Sequence, residues 1–281
     1  MSVLRSARRA VLAGVALALM VGGCAGPRLA ARSYPAPTAD ELLAALRARQ
    51  AVVRGMNVEA RATSWLHGER VRGTVQMLVE RGGQLRFEAE VSLQGTVAAL
   101  TVDHGQFAFL DHQKRVFRKG PACPANVAAL IAIPLAPAEV AAILLGDAPL
   151  AEGGNTVAVE WDGTRAADVL VIDQGPRTRL WLGLRRPSPL QAAWDVVFLE
   201  GQGAGEAGRW RVSYEDLERA GSVALPRLVR FAEPGKSFDD GVEIKIRERA
   251  LNPVFPDGAF TLAQPDGYTV EVAACGPPAP K

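Results

Sequence analysis

Two aspartate–histidine neighbours carry the residue types that acid–base chemistry needs, Asp103-His104 and Asp111-His112. A carboxylate beside an imidazole can move a proton. Both pairs, however, fall where hydrophobic alternation pauses, and Asp is favoured in turns because its carboxylate bonds its own backbone. Turns are therefore expected at both. His67 stands alone, and no spacing of His, Cys or Glu suits zinc. Ser237-Phe238-Asp239-Asp240-Gly241 clusters oxygens as calcium would require, but it lacks the further ligands of an EF-hand and reads as a hairpin turn. No G-x-S-x-G elbow or phosphate-cradling glycine loop occurs. The five tryptophans, Trp65, Trp161, Trp181, Trp194 and Trp210, lie on separate strand-like stretches and are expected in the core or at its rim. No catalytic residue, metal or cofactor is expected, so the reading is of a non-enzyme.

The three cysteines point elsewhere. Arg5, Arg8 and Arg9 precede an apolar run of 11 residues, Val11 to Val21. A membrane span needs roughly 20 such residues, so this run reads as a secretory signal covering residues 1–23. Val21-Gly22-Gly23-Cys24 resembles the bacterial lipobox, in which an aliphatic and two small residues precede a cysteine that is lipidated. That resemblance implies that mature Cys24 carries acyl chains such as palmitate. One acyl chain binds a bilayer only marginally, whereas two or more hold it stably. Ala25 follows where Asp would favour inner-membrane retention, so the expected address is the outer membrane, facing the periplasm. In that oxidising compartment a disulfide between Cys123 and Cys275 is allowed, and two separate buried thiols fit equally well.

Loss of the leader also changes the charge. The chain of 281 residues has 32 Lys and Arg against 30 Asp and Glu; without the three leader arginines the balance is 29 against 30. Such near-neutrality gives no electrostatic reason to expect a nucleic-acid partner.

Residues 24–37, rich in Ala, Pro and Arg, read as a short tether. Thr38-Ala39-Asp40-Glu41 then matches a capping box, and Leu42, Ala45, Leu46, Val53 and Met56 recur at helical spacing toward Gly55. Arg49 interrupts that stripe, where its stem can cover apolar surface while its charge reaches water. Short alternating stretches follow from Val58 to Phe117, separated by turn residues, and resume from Thr156 to Arg249. Between the two series, Pro124 to Ile131 and Pro137 to Leu145 have helical character, each with Pro near its start. These signals predict a mainly β, α+β domain over residues 38–275, followed by a tail at 276–281. Its architecture is about eleven antiparallel strands with helices laid on the concave face.

The order of these elements, with "VSLQGTVAALTVDHGQFAFLD" (91–111), "LIAIPLAPAEVAAILLGDAP" (130–149), "LPRLVRFAEP" (225–234) and "FTLAQPDGYTVE" (260–271), resembles the LolB-type outer-membrane lipoproteins and the related LolA-type carriers. The resemblance implies that the strands form an unclosed antiparallel β-barrel with helices as a lid on the concave face. It also implies a carrier or acceptor that binds acyl chains of lipoproteins, or a similar lipid, in an apolar cavity and helps insert them in the outer membrane. A periplasmic carrier protein would be its partner. The inward positions that would line the cavity are Val58, Ala60, Val75, Met77, Leu85, Phe87, Val97, Leu100 and Phe107. The same residues can instead pack as a solid core against Leu42, Leu46 and Val53. Leu93 corresponds to the family's protruding loop, which implies a role in membrane delivery; Ser92 stands where Pro is common. The alternative reading is a structural or sensory envelope lipoprotein that uses the same fold to hold a protein partner.

Overall fold

A computed structural model describes residues 29–66, 69–91, 95–131, 135–150, 153–175, 178–188, 193–202, 209–233 and 235–275. The leader, Cys24, His67, Leu93 and the tail lie outside them. Helix α1 (Ala39–Val52) begins as its sequence dictates. Thr38 Oγ1 accepts from the Glu41 N–H at 3.2 Å, and Glu41 accepts from the Thr38 N–H at 2.8 Å. This reciprocal cap satisfies donors that the first turn would otherwise leave orphaned. Leu42 and Leu46, one turn apart, are fully buried. Val53 turns extended, and Gly55 already belongs to a strand.

A meander follows: β1 (Gly55–Leu66), β2 (Glu69–Glu80), β3 (Gln84–Val91), β4 (Gly95–Asp103), β5 (Gln106–Asp111) and β6 (Val116–Pro121). Helices α2 (Pro124–Ile131) and α3 (Pro137–Leu144) interrupt it where Pro124 and Pro137 start new turns. A second meander comprises β7 (Asn155–Asp162), β8 (Ala167–Gly175), β9 (Thr178–Arg185), β10 (Asp195–Gln202), β11 (Arg209–Ala220), β12 (Val223–Ala232) and β13 (Val242–Leu251). The last strand folds back beside the first, from Met56 opposite Leu251 to Thr63 opposite Glu243, and welds the two series into one sheet.

The sheet order is β14-β6-β5-β4-β3-β2-β1-β13-β12-β11-β10-β9-β8-β7, with β14 (Thr269–Val272) at one edge and β7 at the other. Since those edges are not joined, the barrel stays open. The fourteen strands among the described residues exceed the expected eleven. Short stretches such as Val116–Pro121 each form a full rung, and β14 pairs parallel to β6 with Val272 exposed, so it carries no buried alternation to read.

The chain reaches β14 by crossing the outer face of the first meander. Arg86 donates to the carbonyls of Ala259 and Thr261, and Leu262 and Tyr268 cover Ala99, Leu110 and Phe117. Gly120 admits this return, because a Cβ there would collide with the Ala273 carbonyl. Cys275 then bonds Cys123, with Cα atoms 6.0 Å apart across 152 residues of sequence. Closing so long a loop contributes about 5 kcal/mol in the chain-entropy treatment.

On the concave face, α1 and α3 bury Leu42, Leu46, Val140 and Ile143 in one cluster with inward residues of both meanders, among them Leu85, Leu100, Leu182 and Phe231. Full burial of such a side chain stabilises by about 1.5–3 kcal/mol. Two features depart from expectation. Arg49 does not reach water: it is 5% exposed beneath α1. Residues 29–37 are not wholly a free tether either, because Arg32 and Tyr34 bond Asp168 of β8.

Candidate functional site

Strand register stacks the inward residues of β1 to β5 into rungs. At one end Met56, Val79, Leu85, Val102 and Phe107 stand opposite one another in turn. The second rung is Val58, Met77, Phe87, Leu100 and Phe109. Large side chains fill both. The third rung is Ala60, Val75, Ala89 and Ala98, and the next opens with Ala62 opposite Gly73. The inner volume supplied by side chains thus falls from one end of the sheet to the other.

A cavity of about 200 Å³ occupies the space that these small residues leave. Its walls are Ala62, Gly73, Val75, Met77, Phe87, Ala89, Val97 and Ala98, with Val242 and Ile244 of β13 at one side and Leu144 of α3 above. Val71, 44% exposed, stands at its border with Val91. Ser64 is the polar side chain on an inward position; Arg72 and Glu90 border the space from positions of outward parity. Such a lining offers dispersion contacts and little hydrogen bonding, which suits hydrocarbon rather than a polar substrate.

Of the residues singled out from sequence, Val75, Met77, Phe87 and Val97 line this cavity. Val58, Ala60, Leu85, Leu100 and Phe107 lie in the packed core beside it, each no more than 2% exposed. The small residues that create the hollow were not singled out. Their only signal is alignment across strands, which requires the register.

The packed end holds a buried ionic cluster. Arg81 Nη2 lies 3.0 Å from Asp147 Oδ2 and also donates to the Val53 carbonyl at 2.7 Å, tying β2, α1 and the end of α3 together. Burial pushes the Asp147 carboxyl up, opposed by the Ala148 N–H, Arg81 and Arg49. Burial likewise lowers the Arg49 guanidinium, against the pull of Asp147, Tyr214 and Asp195. The Tyr214 hydroxyl sits 3.0 Å from the carbonyls of both Ile143 and Asp147. Arg81 and Tyr214 tie the helices to the sheet, while Arg49 Nε and Asp195 Oδ1 are buried without a hydrogen-bond partner among the described residues, and none of the cluster lines the cavity.

The acid–base candidates stay apart from it. His104, at φ 43, and Asp103 form an exposed turn, and Asp111 accepts the Lys114 N–H as a turn residue does. His112 Nδ1 lies 2.9 Å from the Tyr268 hydroxyl. Ser237 Oγ donates to Asp240 across the 3-10 turn between β12 and β13. Among the described residues, no group of three or more His, Cys, Asp and Glu is placed to hold a metal ion. A larger cleft of about 710 Å³ opens on the outer face, bordered by Arg165, Glu200 and Arg211. It is open, and its walls set charged side chains beside Phe198 and Phe238, so it offers hydrocarbon no continuous apolar lining. Trp181 nearby lies beneath Arg209 at 3.7 Å, and Trp210 stacks on Phe231, so these tryptophans are rim and core residues.

No family model matches the sequence, and no curated protein does. Solved structures do match. A domain from Vibrio parahaemolyticus named for outer membrane lipoprotein sorting superposes with a TM-score of 0.55 at 8% identity, covering 80% of this chain and 97% of its own. A LolA superfamily protein from Nitrosomonas europaea gives 0.52 at 14% identity, covering 81% and 99%. A DUF1329 family protein from Desulfovibrio piger gives 0.54 at 10%, covering 80% and 98%. With its open fourteen-stranded sheet and helices on the concave face, this chain has a LolA/LolB-like fold.

Proposed function

We propose that the protein is a lipid-anchored carrier or acceptor on the periplasmic face of the outer membrane. It takes an acyl chain of a lipoprotein, or a similar lipid tail, into the cavity between β1–β4 and α3 and helps insert it in the membrane. The observation that carries this reading is the apolar hollow itself. Each methylene removed from water is worth about 0.8 kcal/mol, so an unfilled greasy space pulls in hydrocarbon rather than an ion or a sugar. At about 200 Å³ the space equals some six or seven waters of liquid, at roughly 30 Å³ each. It admits the end of one tail, with the remainder leaving past Val71 and Val91. The Leu93 connection follows directly from Val91, so its position in the chain suits handing a tail to a bilayer. No step here requires a catalytic group.

Anchoring would come from acyl chains on Cys24, which keeps the domain tied to the membrane it serves. Mass spectrometry of organic extracts from the protein purified out of cell envelopes tests both parts. Co-purifying lipid and an acylated Cys24 are expected; a protein without bound lipid that also fails to take up a fluorescent fatty acid is not a carrier. Leu93→Glu should leave fatty-acid binding intact and impair transfer to liposomes. Unchanged transfer would remove the delivery role from that loop.

A second reading, a lipoprotein that holds a protein partner, draws on the open cleft of about 710 Å³ on the outer face, where Arg165, Glu200 and Arg211 stand beside Phe198 and Phe238. It would be favoured if crosslinking in envelopes captured one stoichiometric protein while no lipid co-purified.

A further inference from the structure

The stretch before α1 contains a built docking site. Asp168 of β8 is fully buried, and strap residues hold both its oxygens: Arg32 Nη2 lies 2.6 Å from Oδ1, and the Tyr34 hydroxyl donates to Oδ2 at 2.8 Å. The Tyr34 ring meets Trp161 and Trp194 edge-on, with centroids 6.3 and 5.6 Å apart, and the Arg32 guanidinium lies 5.1 Å from the Trp161 ring centroid. Upstream, the Ala30 N–H donates to the Gly163 carbonyl at 2.8 Å, and Trp161 Nε1–H donates to the Ala30 carbonyl at 2.9 Å. Were this stretch to leave, a buried carboxylate would lose its partners, which is costly in a low-dielectric interior.

The register shows where this receptacle stands. Trp161, Asp168 and Leu184 pair across β7, β8 and β9, at the end where β7 finishes and β8 begins. The cavity end of β13, at Val242, pairs with Phe231. That end continues through Ala232 opposite Arg211, Gln202 opposite Arg179 and Asp173 opposite Asn155, where β7 starts. Cavity and receptacle therefore lie at opposite ends of the strands. The eight residues of β7 put about 26 Å between those ends.

We infer that residues 29–37 are a docking strap, seated around Asp168, that fixes the exit of the N-terminal chain at the sheet end remote from the cavity. A membrane-tied N-terminus then holds the cavity end away from that membrane, toward a soluble partner. This rests on anchoring at Cys24. The six residues from Cys24 to Leu29 reach at most about 20 Å, too short to pass back along a strand while the strap is seated. The cavity end consequently meets the anchoring bilayer only once the strap unseats. Reception and delivery become two orientations of one domain, separated by the Arg32–Asp168 and Tyr34–Asp168 contacts.

The test uses the full lipidated chain in vesicles of phosphatidylethanolamine and phosphatidylglycerol with headgroup-labelled acceptor lipid. A donor fluorophore is placed through Val71→Cys at the cavity end or Thr164→Cys at the strap end. Energy transfer from position 164 should exceed that from 71 several-fold. Arg32→Gln with Tyr34→Ala should bring the two together, with far-ultraviolet circular dichroism verifying the fold. Equal transfer from both positions in the otherwise unaltered protein overturns the orientation. Hydrogen exchange at the Ala30 amide reads the strap without any membrane. Slow exchange that accelerates in the double variant is expected, and fast exchange in the unaltered protein overturns the strap. An unmodified Cys24 by mass spectrometry sinks the anchored orientation together with the carrier's anchoring, while the Ala30 result still decides whether the strap is seated.

Discussion

Along the same four strands, β1 to β4, one end is filled by Met56, Val79, Leu85 and Val102, and the other is left to Ala62, Gly73, Ala89 and Ala98. The hollow end carries a bulge in the β3–β4 ladder, where Ala89 faces Ala98 but Glu90 faces Thr96, which brings Val97 to the cavity wall. Side-chain volume falls toward that end as well, and the outcome is close packing at one end and a hollow beneath Leu144 at the other. The filled end also carries the ties that hold the lid, where Arg81 joins Val53 and Asp147. An open sheet can thus be stabilised at one end and kept vacant at the other without a change of topology.

That contrast is broken most severely at the filled end. Phe107→Ala, at a side chain 1% exposed, should cost about 4 kcal/mol, seen as a lower denaturant midpoint. Arg81→Ala strips Asp147 of its direct ion-pair partner, though Arg49 remains nearby. A loss of about 3 kcal/mol is expected from chemical denaturation. At the hollow end the response should be much weaker. Ala89→Leu with Ala98→Leu adds bulk where a packed core would lose about 1–3 kcal/mol; here the midpoint should barely move. A large destabilisation would mean that the space is not available.

The smallest effect lies in the strap. Tyr34→Phe should cost about 1 kcal/mol or less, the worth of one hydrogen bond partly open to solvent. Burial first, and then the bond to Asp168, push the Tyr34 phenol up from 10.0 to about 12. Because the folded value is the higher, this contribution is complete below pH 10 and fades as pH rises from 10 toward 12. Stability curves of wild type and Tyr34→Phe should therefore converge across that window. A constant gap would assign the effect to packing alone.

Local signals in the sequence carried most of the architecture. The capping box at Thr38 and the prolines at 124 and 137 start helices where they stand, and the alternation from Val58 to Val102 marks one face as buried. Long-range partners were not legible. Alternation says which way a side chain points but not which residues share its rung, so Ala62 and Ala98 looked no different from Ala60. Arg49 read as a surface residue because Asp147 and Asp195 are remote in sequence, and Arg32 and Tyr34 read as linker because Asp168 lies far along the chain. The strand β14 hid for a related reason: its pairing with β6 buries little of its own side-chain surface.

The central claim is that hydrocarbon enters the hollow end, and a fatty-acid titration tests it most directly. The wild-type chain and the Ala89→Leu, Ala98→Leu double variant would each be titrated with a fluorescent fatty acid while thermal midpoints are monitored. Saturable binding to wild type, weakened about tenfold or more in the variant, corresponds to at least about 1.4 kcal/mol of lost affinity and is the expected result, with the midpoint unchanged. Equal affinity in the two proteins would contradict the account, since the tail would then be bound somewhere else or not held by this cavity at all.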